Sequence, residues 1–272
     1  RYNDANTWSA WPANGIERYG QAQREPYMTP QFMKNRQNPL VLQGFSYLYD
    51  LPVESLVINH DRGALFRPTE YSKNYKTKGN LHLDLDPWGF LKTDSSKVMN
   101  NLANLRYGRK LNEFIFENNQ VHKSMYGSLH LQAGINLIDN EYQDGGFICV
   151  PGFAQHFNEW ASKNKSSEFV QIASESNSVQ FPPKHWLNSH AQRITMKAGS
   201  MVIWDQRTPH GSAANESARA RAAQFMKVFP NTVLHQQPAR RKARRTTLQR
   251  NINELQQEGF EISALGRKVF DL

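Results

Sequence analysis

The spacing of hydrophobic positions predicts helices at both ends of the chain and a β-rich stretch between them. Residues 39–49 carry apolar side chains at helical spacing and stop before Pro52. Thr29 followed by Pro30 is typical of a helix start, because threonine caps the first turn and proline fits its first position. A polar helix is expected within residues 239–272.

The clearest predicted strand covers residues 128–138. Its odd-numbered positions are apolar, and its even-numbered positions up to 136 are small or polar. A period of two gives a strand one apolar face and one polar face. In a barrel that encloses a hydrophilic site, the polar face points inward.

Turn signals predict further strands. Residues 144–146 mark a hairpin turn that leads into a strand at 147–150. Residues 194–204 are expected to form a second strand pair, joined by a turn at Ala198-Gly199. A last strand at 224–229 ends before Pro230.

The chain is expected to fold as one domain, since barrels and sandwiches often exceed ~200 residues as a single unit. Two polar stretches interrupt the strand pattern, and long insertions of this kind are commonly lids over a functional site. The predicted parts are a helical N-terminal support at 1–60, a barrel core at 61–230 with insertions at 91–127 and 154–190, and a helical tail at 231–272.

The composition is that of a globular protein with no membrane segment. Hydrophobic residues make up 39% of the chain, and no apolar run reaches the ~20 residues that a membrane helix needs. Cys149 is the single cysteine, which excludes an intrachain disulfide and favours a reducing, cytoplasmic compartment. The chain begins with Arg1, so the sequence leaves open a removed targeting segment.

The net charge of +9 is concentrated near the end of the chain. Residues 238–250 contain no acid and include Arg240, Arg241, Lys242, Arg244, Arg245 and Arg250. One hypothesis is a nucleic-acid or nuclear-import patch, and the other is a solvated helix face. Single-strand binders usually interleave aromatic residues with basic ones, and this stretch has none. We therefore expect a solvated face and no nucleic-acid partner. We also expect the protein to be a monomer.

Two short motifs carry the candidate chemistry. In His82-Leu83-Asp84, the histidine and the carboxylate are two positions apart and share one face of a strand. His210 comes from a distant segment. Two imidazoles and one carboxylate leave three positions of an octahedral metal open, which is the ligand set of non-haem Fe(II) oxygenases. Asp86 is the alternative carboxylate, although the two-residue spacing favours Asp84.

An arginine follows the second histidine at a distance that suits an acidic co-substrate. Arg221 lies eleven residues after His210. Its planar guanidinium suits a two-pronged contact with a carboxylate. Arg219 lies two residues before Arg221, so the two side chains would lie on the same face of a strand. Arg219 is therefore the competing candidate.

Several stretches together resemble the phytanoyl-CoA dioxygenase family of Fe(II)/2-oxoglutarate-dependent oxygenases. They lie at residues 80–88, 132–152, 199–221 and 265–270 and follow one another in the family's order. The histidine-aspartate motif alone is weak evidence, whereas its combination with the later His210-Gly-Ser segment and Arg221 is specific. The resemblance implies a mainly β fold with flanking helices, a double-stranded β-helix or jelly-roll barrel similar to cupins.

The resemblance also implies roles for individual residues. His82, Asp84 and His210 would bind Fe(II), and Arg221 would hold 2-oxoglutarate with Ser212 as a hydroxyl donor. Gln132 is a further candidate for the co-substrate, with a structural hydrogen bond as the alternative. Candidates for substrate contacts are Arg62, Arg67, Asn136 and Trp88, for which salt bridging or core packing is the alternative.

The expected activity is hydrogen abstraction from a small, acidic substrate, an amino-acid derivative or specialised metabolite. Fe(II) is the expected cofactor, 2-oxoglutarate and O2 are the co-substrates, and succinate and CO2 are the co-products. Hydroxylation, desaturation and oxidative cyclisation remain open, and halogenation is disfavoured because Asp84 occupies the position that a halide needs. The alternatives are an oxygenase that acts on nucleic acid or protein, and a non-catalytic jelly-roll binding module.

Overall fold

The computed structural model describes residues 4–10, 20–21, 28–84, 131–164, 170–171, 178–231 and 238–272. These residues fall into two compact units. The described residues within 1–25, 62–104 and 133–225 form the first unit. Those within 26–61, 105–132 and 226–272 form the second.

The helices of the second unit begin where the sequence predicts. Helix α1 covers Pro30–Arg36, and the Thr29 hydroxyl accepts a hydrogen bond from the Phe32 backbone N–H at 3.3 Å. Helix α2 covers Pro39–Tyr49 and also has proline in its first turn. Helix α3, Phe157–Lys163, belongs to the first unit. Helices α4 and α5, Pro238–Gln257 and Ala264–Val269, complete the set among the described residues. Each described helix is too short or too polar to cross a membrane.

Part of the basic run on α4 binds the end of the chain. The guanidinium groups of Arg241 and Arg245 both contact the Asp271 carboxylate, at 2.6 and 3.1 Å. Arg244 donates to the backbone carbonyls of Phe270 and Ile58. The expectation of a solvated face is therefore wrong for these three arginines, because internal acceptors bind them, and it holds for exposed Lys242 and Arg250.

The strands form two mostly antiparallel sheets. One sheet has the order β1-β10-β3-β8, and the other has the order β5-β6-β2-β9-β4-β7. This architecture of sheets and flanking helices confirms the predicted fold class, although the assigned strands close no barrel among the described residues. The strands are Leu56–Phe66 (β1), Asn80–Leu83 (β2), Leu131–Asn136 (β3), Gly146–Cys149 (β4), Val170–Gln171 (β5), Val179–Gln180 (β6), Gln192–Arg193 (β7), Met201–Trp204 (β8), His210–Ala213 (β9) and Arg221–Pro230 (β10).

Both predicted hairpins are wrong. Strands β3 and β4 lie in different sheets, and so do β7 and β8. Gly145, Gly146 and Gly199 do adopt positive φ as turn residues, but these turns carry the chain from one sheet to the other. Strand β1 begins at Leu56, inside the part predicted as helical, and β10 begins at Arg221, three residues earlier than predicted.

The Asp271 carboxylate is expected to stabilise the second unit. Burial alone raises the pKa of Asp271, but the hydrogen bonds and charges of Arg241 and Arg245 outweigh this effect and hold the pKa below its ordinary value. Asp271→Asn should lower the free energy of unfolding by about 1.5–3 kcal/mol at neutral pH. Urea denaturation measures this change.

The loss in the free energy of unfolding caused by Asp271→Asn should depend on pH. A depressed carboxylate pKa contributes stability above the unfolded-state value of about 3.9, and this contribution disappears as the pH falls through the folded-state pKa. The difference between Asp271→Asn and the unchanged protein should therefore shrink in acid. Glu258→Gln, the same chemical change at an exposed position, is the control. Equal effects of the two substitutions would contradict the role of Asp271.

Candidate functional site

Two histidines face each other across neighbouring strands of the first unit. His82 on β2 is the direct cross-strand partner of His210 on β9, so both side chains lie on the same face of the sheet. Their ring centroids are 4.5 Å apart. Asp84 follows β2 directly and returns to the same face because it lies two residues after His82.

The carboxylate of Asp84 lies against both imidazoles. His82 Nε2 is 3.4 Å from Asp84 Oδ1, and His210 Nε2 is 3.8 Å from Asp84 Oδ2. One ligand atom from each residue lies within 4.8 Å of the other two. Nitrogen and carboxylate oxygen donors at this separation suit a transition metal such as Fe(II). The structure thus brings together the three residues that the sequence singles out.

Neighbouring groups orient the triad. His210 Nδ1 is 3.0 Å from the Thr208 carbonyl oxygen. A carbonyl only accepts, so Nδ1 carries the proton and Nε2 presents its lone pair towards Asp84. The Ser178 hydroxyl donates to Asp84 Oδ1 at 3.2 Å. Sequence analysis missed Ser178, because its role depends on the pairing of β6 with β2.

The same face of the sheet carries two further side chains that sequence analysis missed. Gln180 on β6 is the cross-strand partner of His82, and Cys149 on β4 is the partner of His210. Burial raises the pKa of the Cys149 thiol. The two histidines are therefore flanked on either side by an amide and a neutral thiol.

Gly211 allows β2 and β9 to come close at the triad. A Cβ atom at position 211 would lie 1.8 Å from the Asn80 carbonyl oxygen, far inside van der Waals contact. Any side chain there would push the strand that carries His82 away from the strand that carries His210. Glycine at this position therefore follows from the geometry of the histidine pair.

Arg221 is a fully buried cation at the start of β10. Only 1% of its surface is exposed, and its Nε and Nη1 atoms have no hydrogen-bond partner among the described residues. Its guanidinium carbon lies 4.9 Å from the centre of the Phe66 ring. Burial lowers the pKa of Arg221 to about 10, so the side chain stays charged at neutral pH. An unpaired buried charge is costly, and an anionic ligand would remove this cost.

Arg219, the competing arginine, has a different environment. Its side chain is 51% exposed and forms an ion pair with Asp144. Hydrogen bonding to Asp144 raises the pKa of Arg219. Ser217 also donates to Asp144 at 2.8 Å. Arg219 therefore stabilises the turn that precedes β4, whereas two nitrogen atoms of Arg221 have no partner among the described residues.

Gly146 packs closely against Arg221 and Asn140. Its φ is +134°, which favours glycine. A Cβ atom at this position would lie 3.3 Å from Arg221 Nε and 2.6 Å from Asn140 Oδ1. Asn140 donates from its amide to the Gly145 carbonyl oxygen at 2.6 Å, while its own buried Oδ1 has no hydrogen-bond partner in the described part of the chain. Glycine at position 146 therefore allows the Asn140 amide and the Arg221 side chain to lie close to the backbone.

The remaining predicted co-substrate residues are placed as follows. Ser212 lies on β9 two residues after His210, on the same face of the sheet. Gln132 is buried on β3 and belongs to the second unit. Asn136 is buried at the end of β3, donates to the Met196 carbonyl oxygen at 3.1 Å, and has no partner for its own Oδ1 among the described residues.

Two predicted substrate arginines bind other parts of the first unit. Arg62 donates to Gln21 Oε1 at 2.7 Å. Arg67 donates to the Trp8 carbonyl oxygen at 3.3 Å, and its guanidinium lies 4.0 Å from the centre of the Tyr75 ring. Trp88 and the insertion at 91–127 lie outside the described residues.

The surroundings of His210 are aromatic. The Trp204 ring centroid lies 4.9 Å from that of His210 and 4.6 Å from that of Phe147. Trp204 is buried. These contacts shield one side of the histidine from water.

A cavity of about 490 Å³ lies within residues 150–190, the region of the second predicted insertion. Its lining includes Phe153, Trp160, Trp186 and Leu187 and does not include the triad. The Val150 N–H at its edge donates to the Pro209 carbonyl oxygen, directly before His210. This backbone hydrogen bond joins the edge of the cavity to the residue that directly precedes His210.

Part of the chain matches the model of a known protein family. Residues 117–223 match the model of the phytanoyl-CoA dioxygenase (PhyH) family. The predicted resemblance is confirmed. The matched range includes His210 and Arg221, whereas His82 and Asp84 precede it.

Individual relatives agree with this match. The chain is 39% identical over 236 residues to the Dictyostelium discoideum protein named "Putative phytanoyl-CoA dioxygenase", covering 86% of this chain and 64% of that protein. It is 31% identical over 132 residues to the ectoine dioxygenase of Bordetella parapertussis, covering 46% of this chain and 43% of that enzyme. The chain thus spans less than two thirds of the length of each relative.

A solved structure has the same fold at low sequence identity. The GlcNAc Inducible Gene 2 product of Candida albicans, a DUF1479 protein, matches with a TM-score of 0.52 and 14% identity. The match covers 78% of this chain and 54% of that one. At this identity the similarity supports the fold alone.

Gly211→Ala should disrupt the histidine pair. The added Cβ overlaps the Asn80 carbonyl oxygen, so β2 and β9 must separate, and we expect a loss of about 2 kcal/mol or more in the free energy of unfolding. Thermal and urea denaturation measure this loss. Gly79→Ala is the matched control, because a Cβ there would lie 3.5 Å from the Ser212 carbonyl oxygen. Equal tolerance of both substitutions would contradict the close approach.

Proposed function

We propose that this chain is a non-haem Fe(II)/2-oxoglutarate-dependent oxygenase that acts on a small-molecule substrate. The observation that carries the proposal is a triad of two imidazoles and a carboxylate in the same unit as an arginine with unused buried donors. The first group fits a metal, and the second fits the far carboxylate of a 2-oxo acid. The family match supports the same activity.

His82, Asp84 and His210 would hold Fe(II). When bound, Fe(II) and 2-oxoglutarate supply O2 activation, with oxidation of the 2-oxo acid to succinate and CO2 and removal of a hydrogen from the substrate. Thr208 and Ser178 orient His210 and Asp84 for this role through the hydrogen bonds described above.

Arg221 would bind the distal carboxylate of 2-oxoglutarate. Its buried Nε and Nη1 atoms are available as donors, and a carboxylate would neutralise its charge. A side chain at position 146 would crowd Nε, and glycine avoids this contact. Ser212, on the face that carries His210, is the proposed hydroxyl donor to the same ligand.

The proposed substrate is a small acidic metabolite, and the outcome is hydroxylation, desaturation or ring closure. Similarity to an enzyme named ectoine dioxygenase supports a small molecule rather than a macromolecule. The guanidinium groups of Arg241, Arg244 and Arg245 already bind acceptors within the chain, which disfavours their use as contacts to nucleic acid phosphates. The described contacts of Arg62 and Arg67 give these residues structural partners, so Asn136 is the stronger candidate for a substrate contact. We further propose a monomer.

Asp84→Ala and His210→Ala should each abolish Fe(II) binding and turnover while leaving the fold intact, because each removes one of three ligands. Calorimetric titration with Mn²⁺, which does not oxidise as Fe(II) does, measures metal binding. The unfolding midpoint of each variant shows whether its fold is intact. Asp86→Ala tests the alternative carboxylate and should bind metal normally. Metal loss in Asp86→Ala with retention in Asp84→Ala would transfer the ligand role to Asp86.

Arg221→Ala should raise the apparent dissociation constant for 2-oxoglutarate at least about tenfold, the cost of one charge-assisted contact (~1.5–3 kcal/mol). Titration of the metal-loaded protein with 2-oxoglutarate measures it. Arg219→Ala is the matched control and should change this affinity far less, because its partner is Asp144. The reverse order of effects would assign the co-substrate to Arg219.

A further inference from the structure

The two histidines of the triad differ in the group that faces Nδ1. His210 Nδ1 faces the Thr208 carbonyl oxygen at 3.0 Å. His82 Nδ1 faces the amide nitrogen of Asn80 at 3.4 Å. A carbonyl oxygen only accepts a hydrogen bond, and an amide NH₂ group only donates. These contacts favour opposite tautomers of the two neutral imidazoles.

The orientation of the Asn80 amide is fixed from the neighbouring strand. Asn80 Oδ1 accepts a hydrogen bond from the Ser212 backbone N–H at 2.9 Å. A backbone N–H only donates, so the amide oxygen must point towards Ser212 and the NH₂ group towards His82. The close approach at Gly211 keeps the two strands at the distance that this bridge requires.

This arrangement gives His82 a tautomer unsuited to coordination. When Nδ1 accepts a hydrogen bond, the neutral ring carries its proton on Nε2. Nε2 is the atom that lies 3.4 Å from Asp84 Oδ1, so it points to the position that a metal would share. A metal requires an unprotonated nitrogen there. In the tautomers that these contacts favour, Nε2 is unprotonated in His210 and protonated in His82.

We propose that Asn80 is a positioning residue that makes metal binding depend on a tautomer change at His82. On binding, the proton leaves Nε2 and Nδ1 gains one, so the ring stays neutral. The Asn80 amide then turns its oxygen from the Ser212 N–H to the new His82 Nδ1–H. The inference rests on the proposed function, since it assumes that the triad binds a metal.

The tautomers are measurable in the metal-free protein. Nitrogen-15 NMR of the imidazoles, at a pH about two units above the ordinary histidine pKa, distinguishes protonated from unprotonated ring nitrogens. We expect the proton on Nε2 of His82 and on Nδ1 of His210. A proton on His82 Nδ1 in the unsubstituted protein would overturn the proposal, and this measurement needs no variant and no activity.

Asn80→Asp tests the same idea by reversing the partner. A carboxylate accepts from both the Ser212 N–H and a His82 Nδ1–H, so the metal-free variant should carry the His82 proton on Nδ1. Its affinity for Co²⁺ should rise about tenfold or more, within the range of effects of groups that orient metal ligands. Asn74→Asp places the same charge at an exposed position and should change neither the tautomer nor the affinity by a comparable factor.

The outcomes separate the two proposals. An unchanged His82 tautomer in Asn80→Asp would overturn the role of Asn80, even if Co²⁺ affinity rose through charge alone. Absence of Co²⁺ binding in every form of the protein would overturn the proposed function, whatever the tautomers. The expected tautomers together with tighter Co²⁺ binding in Asn80→Asp would support both.

Discussion

The pairing of β2 with β9 in a single register determines the candidate site. It sets His82 opposite His210 and Asn80 opposite Ser212. Because side chains alternate between faces, a slip of one residue would turn one histidine away from the other. The absence of a side chain at Gly211 fixes how closely the strands approach. The ligand geometry therefore depends on backbone contacts more than on the histidines themselves.

The burial of a positive charge is the second constraint on the candidate site. It distinguishes Arg219 from Arg221, which are only two residues apart in the sequence. Arg219 reaches an acid and remains half exposed. Arg221, two residues later, is buried, and its Nε and Nη1 atoms find no partner in the part of the chain that the structure describes. A fold tolerates such a charge when the binding of an anion compensates for it. The energetic cost in the free protein is then recovered as affinity for the ligand.

Local patterns were readable from the sequence, whereas pairings between distant segments were not. The caps of α1 and α2 and the shared face of His82 and Asp84 follow from neighbouring residues. The predicted hairpins failed because consecutive strands entered different sheets, which turn chemistry alone does not indicate. Ser178 contacts Asp84, and Asn80 contacts Ser212, only because distant segments pair, so neither contact follows from the local sequence.

The packing of Trp204 against His210 at 4.9 Å has an optical consequence. Indole emission is sensitive to nearby paramagnetic ions and to changes in a stacked ring. A buried tryptophan in contact with a proposed ligand thus makes the intrinsic fluorescence of this protein report on the occupancy of the centre, with no added label. Comparison with Trp204→Phe isolates that signal from the other five tryptophans of the chain.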